Sequence, residues 1–325
     1  MNIIRYGGPM SRTRRVGSPI GYSGGAQPAP PVEAFISVWA TTVELETITI
    51  PTQNDTFNAV VDWGDSSPPE TITTYNGFSH QYDAIGEHTI SITGTFPNIY
   101  FNNGGDKLKI KRVTNLGTVG WTRLNRAFWG CTNLTQFTAG STDTSAVTTT
   151  QLAFYSCTGL TSLDVSSFDT SSVSNMAGMF HTCSGLTSLD VSSFDTSSAT
   201  TMSEMFRSCT ELTSLDVSSF DTSSVTTMGN MFNGCSALTS MIGVEDWDIT
   251  GLNSTDDINN FLTVGKMTTP QYDNLLINWE AQASVIPAMT PSFGASILTL
   301  AGAADTAKQS LINTYGWTIS DGVTP

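Results

Sequence analysis

Three aspartates, Asp164, Asp190 and Asp216, recur at intervals of 26 residues, each between two serines: Ser162 and Ser166, Ser188 and Ser192, Ser214 and Ser218. If the segments that carry them stack as parallel strands, the carboxylates sit roughly 5 Å apart. Like charges that close cost stability unless water, a hydroxyl or a cation relieves them. Two readings follow. The row is a solvated acidic ridge, or it is a ligand face whose carboxylates and hydroxyls, with Thr161 beside them, meet sugar hydroxyls directly or through calcium. The sequence requires no cofactor, and calcium is the sole metal it suggests.

Five cysteines, Cys131, Cys157, Cys183, Cys209 and Cys235, keep the same 26-residue spacing. Their number is odd and no C-x-x-C pair or histidine accompanies them, so zinc is poorly supported. Stacked equivalents lie about 4.8 Å apart, beyond the roughly 3.8 Å between Cβ atoms that a disulfide wants. A buried ladder of free thiols is expected. Met176, Met202 and Met228 belong to the same core stripe rather than to a copper site. The three histidines, His80, His88 and His181, leave little for imidazole catalysis. Asp62, Asp65 and Glu70 read as turn-forming carboxylates, with a calcium site or an acid/base pair as the sharper alternative.

The elements that must position these residues follow from periodicity. Phe128, Phe154, Phe180, Phe206 and Phe232 share the cysteine period, as do Leu134, Leu160, Leu186, Leu212 and Leu238. In LTSLDV, Leu163 and Val165 should point inward and Asp164 outward, as alternation along a strand requires. Val173, Met176, Phe180 and Cys183 are spaced as one face of a short helix, with Asp169 at a turn or helix start. Each unit is therefore expected to be strand, turn and short helix, stacked as a leucine-rich-repeat solenoid with atypical end units. Beyond it, Thr269 as N-cap and Pro270 at the first helical position open a helix that buries Tyr272, Leu275, Leu276 and Trp279. A second helix closed by Gly316 and a final strand, WTISDG, complete a cap. From about residue 32 to 101, short alternating segments separated by Pro, Gly, Asn and Asp predict a small antiparallel sandwich.

Charge narrows the function. Acidic residues number 28 against 13 basic ones, a net charge of −15, which disfavours nucleic acid as a partner. No apolar run of about 18 residues predicts a membrane helix, and none is expected to insert. Arg5, Arg12, Arg14 and Arg15 form a basic start without an acid, followed by a Gly/Pro-rich stretch. The start has no apolar core, so ordinary export is not expected from it. Residues 1–31 are expected to be an extended arm that docks on another protein through those arginines.

The motifs carry a resemblance. VDWGDSS, then HQYDAIGEHTISITG, resembles a PKD-like, immunoglobulin-type module, in which Trp63 and Tyr82 would pack inside and Asp62 and Asp65 would shape a turn. FDTSSVTTMxxMFxxC, with the terminal YDNLLINW and GWTISDG, resembles BspA-type leucine-rich-repeat surface proteins, bacterial adhesins with similar chains among bacteriophage structural proteins. The resemblance implies binding rather than catalysis. The expected fold class is mixed α/β: an extended arm (1–31), an immunoglobulin/PKD-like β-sandwich (32–106), a leucine-rich-repeat solenoid (107–264) and an α+β cap (265–325). The expected function is a non-enzymatic virion structural protein on the particle surface, a tail fibre, head fibre or capsid decoration. Its partners would be other virion proteins at the arm, a host surface protein or glycan at the repeats, and other copies of itself. A bacterial cell-surface adhesin is the alternative, and a glycan-active enzyme the third reading.

Overall fold

The computed structural model describes residues 33–322. The basic arm with Arg5, Arg12, Arg14 and Arg15 lies outside the described residues.

The first strands are Phe35–Thr41 (β1), Glu46–Thr49 (β2), Asn58–Asp62 (β3), Glu70–Ile72 (β4), Ser79–Tyr82 (β5) and Gly86–Thr95 (β6). In β3, Ala59 and Val61 are buried between exposed neighbours, the alternation of a sheet with one wet face. β6 pairs antiparallel with β1 and β3, and β3 with β4, while β2 and β5 form a separate two-stranded sheet. Trp63 and Tyr82 are buried, and the Tyr82 hydroxyl donates to the Trp63 carbonyl at 2.8 Å. Asp62 accepts from the Gly64 N–H at 2.9 Å and Asp65 from the Ser67 N–H at 3.0 Å, so both close turns, as read from their types.

The next strand, Ile110–Asn115 (β7), has two kinds of neighbour. It pairs antiparallel with β1 and parallel with Gln136–Thr138 (β8), which pairs parallel with Ser162–Asp164 (β9). One seven-stranded sheet therefore runs β4-β3-β6-β1-β7-β8-β9. The expected self-contained sandwich is corrected: its main strands belong to the sheet that begins the repeats. A further parallel pair, Ser214–Asp216 (β10) with Ser240–Ile242 (β11), follows.

The expected mixed α/β leucine-rich-repeat solenoid is overturned too. The described residues are mostly sheet and turn, and their two α-helices, Thr269–Gln282 (α1) and Ala303–Asn313 (α2), both follow the repeats. Residues 173–183 contain no helix. Gly178 and Thr182 take left-handed φ angles of 62° and 61°, and their equivalents in neighbouring repeats do the same. Two left-handed residues four apart end any helical run. Backbone N–H groups of Met176, Gly178, Phe180 and Thr182 donate to Thr201, Ser203, Met205 and Arg207 of the next repeat at 3.0, 2.8, 2.9 and 2.7 Å. Met179 and Cys183 close four-residue turns on Met176 and Phe180. The spacing that reads as a helical face is a row of tight turns with their remaining hydrogen bonds directed sideways.

Successive repeats are joined by single-residue parallel bridges at Thr149, Asn175, Thr201 and Thr227. Inside, Phe128, Phe154, Phe180, Phe206 and Phe232 stack ring on ring at 5.5, 5.8, 5.7 and 5.6 Å. Thr144, Thr170, Thr196 and Thr222 are buried, and each hydroxyl donates to an aspartate carbonyl of the next repeat at 2.8–3.1 Å. A buried hydroxyl needs such a partner, and here it also ties neighbouring repeats.

In α1 the buried residues are Tyr272, Leu275, Leu276 and Trp279, as their spacing predicts. Its N-cap is Thr268 rather than Thr269, in a capping box with Gln271. Residues after Gly316 form a single bridge, Ser292 with Ser320, in place of the expected strand.

Candidate functional site

The strands that carry Asp164 and Asp216 are three residues long because the aspartate ends each of them. Asp164 Oδ1 accepts from the Ser166 N–H at 3.0 Å and its hydroxyl at 2.6 Å. Asp216 repeats this with Ser218 at 3.0 and 2.6 Å, and Asp190 accepts from the Ser192 N–H at 2.9 Å. The local turn takes the N–H that a longer strand would give its neighbour. A second row, Asp169, Asp195 and Asp221, is held the same way by Ser171, Ser197 and Ser223. Hydrogen bonds from Ser192 and Ser218 lower the pKa values of Asp190 and Asp216, and the charge of Asp190 acts against the shift at Asp216.

Residues 163–165, 189–191 and 215–217 are expected side by side in a continuous parallel sheet. The structure interrupts it. β9 pairs with β8 and β10 with β11, while residues 188–190 between them belong to no strand. At this opening lies a shallow cleft of about 450 Å³ lined by Thr161, Ser162, Leu163, Ser188, Leu189, Asp190, Ser214 and Asp216. The site residues read from the sequence therefore divide. Ser162, Ser188, Asp190, Ser214 and Asp216 come together around the cleft. Asp164, Ser166, Ser192 and Ser218 are exposed on the same row without lining it. Leu163, expected inside, is half-buried, as is Leu189, and both supply apolar surface to the cleft.

Among the described residues, no three His, Cys, Asp or Glu side chains are grouped to hold a metal ion. One oxygen of each row carboxylate is committed to its own turn, which leaves Oδ2 as the acceptor on offer. Near the sheet's other end, His80 Nε2 lies 2.6 Å from Asp65 Oδ2 and stacks on Trp63 at 5.1 Å, with Glu70 3.9 Å from Nδ1. Burial works against ionisation of Asp65, but hydrogen bonds from Ser67 and His80 outweigh it and hold its pKa far below the usual range. This cluster fixes a turn.

The five cysteines are buried and free, and burial pushes their thiols up, Cys235 to about 12. The sequence reading left out two features. Four thiols donate to phenylalanine carbonyls in the preceding repeat: Cys157 to Phe128, Cys183 to Phe154, Cys209 to Phe180 and Cys235 to Phe206, at 3.0–3.2 Å. It also left out the residue after each core phenylalanine, which the 26-residue period picks out: Trp129, Tyr155, His181, Arg207 and Asn233.

No described helix is long and apolar enough to cross a membrane. No curated protein and no solved structure matches the chain. Residues 98–190 and 122–247, just under half of the chain, match a family described as Mycoplasma protein of unknown function, DUF285. The repeat region is thus similar to that family, in agreement with the likeness to BspA-type surface repeat proteins carried by its motifs.

Proposed function

We propose that this chain is a non-catalytic attachment protein that presents its repeat region to glycan on a host surface. The observation that carries this reading is the cleft at residues 188–190. Its serine hydroxyls and the free oxygens of Asp190 and Asp216 can accept from sugar hydroxyls, while Leu163 and Leu189 offer apolar surface to a sugar ring. The carboxylates are held in place by their own turns, so little ordering is lost on binding. An open, shallow cleft suits a polymer passing over it better than a small substrate enclosed within it. A glycan-active enzyme needs a general acid with a raised pKa, whereas Asp190 and Asp216 are shifted the other way.

The finer reading is a virion setting: a tail fibre, head fibre or capsid decoration docked through Arg5, Arg12, Arg14 and Arg15 on other virion proteins. A bacterial cell-surface adhesin is the second reading, and the similarity to a Mycoplasma family favours it. The test is binding of the full chain to a glycan array beside an Asp164→Asn, Asp190→Asn, Asp216→Asn variant. Asparagine keeps the acceptor that closes each turn, so the fold persists while the charged acceptors go. Loss of about tenfold or more in affinity is expected if charged hydrogen bonds to the ligand disappear. Undiminished binding of uncharged glycans by the variant overturns the reading.

A further inference from the structure

Repeats 160–185, 186–211 and 212–237 share the same thirteen opening residues, LTSLDVSSFDTSS, and every difference among them falls in the second half. Idle change after duplication would scatter over both halves. Within the second half the buried Met176, Met179, Phe180 and Cys183 are repeated without change. The remaining nine positions vary, and among them the residue after the core phenylalanine changes chemistry at every step, being Trp129, Tyr155, His181, Arg207 and Asn233 in successive repeats, each half-buried.

These side chains touch one another along the stack. Trp129 and Tyr155 lie 5.2 Å apart between ring centres at a tilt of 33°, and Tyr155 and His181 lie 4.5 Å apart at 31°. The Arg126 guanidinium stands over the Trp129 ring at 5.5 Å. Glu204 joins the other side, 3.4 Å from His181 Nδ1 and 2.6 Å from Arg207 Nη1. With ring faces occupied by neighbours, the ring edges are left for a ligand. Among the described residues Trp129 Nε1 and Tyr155 Oη have no hydrogen-bond partner and are not buried unpaired atoms, so both present a donor to solvent.

The charge beside these donors is opposite to that of the molecule. Arg126 Nη1 reaches only neutral oxygens, Tyr100 Oη at 3.4 Å and Asn102 Oδ1 at 3.3 Å. Lys107 Nζ donates to the Asn103 side chain, and its stem passes so close to Gly130 that an added Cβ there would lie 3.1 Å from Lys107 Cδ. Among the described residues neither cation has a carboxylate within ion-pair distance. In a chain of net charge −15, two uncompensated cations beside two outward donors are a local inversion of sign.

We infer that the column from Lys107 and Arg126 through Trp129 and Tyr155 is a second binding surface, for a glycan chain that carries carboxylates. Lys107 and Arg126 take the carboxylate, and the indole N–H and phenol O–H take neighbouring sugar oxygens. The inference is independent of the strand-row cleft, whose negative charge would repel the same ligand.

The test is calorimetric titration of the full chain with a galacturonate octamer at low ionic strength, with maltoheptaose as the neutral control. The octamer should bind, more weakly as salt rises, and maltoheptaose should not compete for it. Lys107→Gln with Arg126→Gln should weaken binding about tenfold or more, the loss expected for charge-assisted bonds. Tyr155→Phe keeps the ring stack and should weaken binding severalfold with an unchanged thermal midpoint. Asp190→Asn with Asp216→Asn should leave octamer affinity equal or higher. Absence of octamer binding, equal binding of the neutral sugar, or full affinity in the Lys107/Arg126 variant overturns the inference. So does loss of octamer affinity in the Asp190/Asp216 variant, which would move the ligand to the other face and leave the attachment reading standing.

Discussion

The substitution Gly178→Ala separates the observed turns from the helix that the residue spacing suggests. In a helix interior, alanine in place of glycine would stabilise by about 0.8–1.0 kcal/mol. Gly178 instead has φ +62°, and an added Cβ would come within 2.5 Å of Leu152 Cδ2. A side chain in the left-handed region costs about 1–2 kcal/mol, and the narrower unfolded ensemble of alanine returns about 0.4–1 kcal/mol of it. The Leu152 methyl can rotate aside, as the end of a flexible side chain does. Net destabilisation of about 1 kcal/mol is expected, opposite in sign to the helical case. Thr182→Gly is the converse: Thr182 has φ 61°, and glycine already stands at the equivalent Gly130 and Gly234. It should be neutral or stabilising, whereas in a helix it would be destabilising. The assay is urea unfolding of the full chain followed by tryptophan fluorescence. Gly178→Ala should lower the midpoint with an unchanged slope, which reports a loss of stability rather than a change in exposed surface. A raised midpoint for Gly178→Ala, or a clear loss for Thr182→Gly, would refute the assignment of turns.

Two further outcomes follow from the buried and paired groups. The five thiols should resist maleimide in the native protein at pH 8 and react together only on unfolding, because burial holds them protonated as well as inaccessible; rapid native labelling, counted by mass spectrometry, would contradict the core. Glu46 accepts from the Thr42 N–H at 2.5 Å and pairs with Lys109 at 3.1 Å, and these bonds hold its pKa at about 2 against an ordinary 4.5. Its contribution to stability is full above pH 4.5 and fades as pH falls toward 2, so Glu46→Gln should flatten the acid limb of a stability–pH curve over that window, and an unchanged limb would show the pair idle.

Much of the molecule was legible without coordinates. The 26-residue period, the phenylalanine and leucine columns, the buried thiols and the α1 face that buries Tyr272, Leu275, Leu276 and Trp279 all follow from residue type at fixed spacing. Burial selects apolar residues wherever they fall, so the core is written in composition. Asp62 and Asp65 were likewise readable, because an aspartate that closes a turn binds an N–H two residues away.

The candidate site was only half legible. The aspartate row is visible in the sequence, but the cleft is not, and neither is the ring column unless repeats are compared position by position. Apolar residues three and four apart look alike in a helix and in successive tight turns. The two differ in the sign of φ at Gly178 and Thr182 and in carbonyl partners a full repeat away. The joining of the antiparallel strands to the repeats through β7 is likewise a pairing of segments distant in sequence. The clearest case is LTSLDVSSFDTSS itself. The same residues form a paired strand at 214–216 and an unpaired segment at 188–190. Sequence buries Val191 and Val217 alike, but Leu189 is half-buried where Leu215 is buried, and a strand exists only where a neighbour's N–H and C=O groups come within reach, which is settled by the stack as a whole.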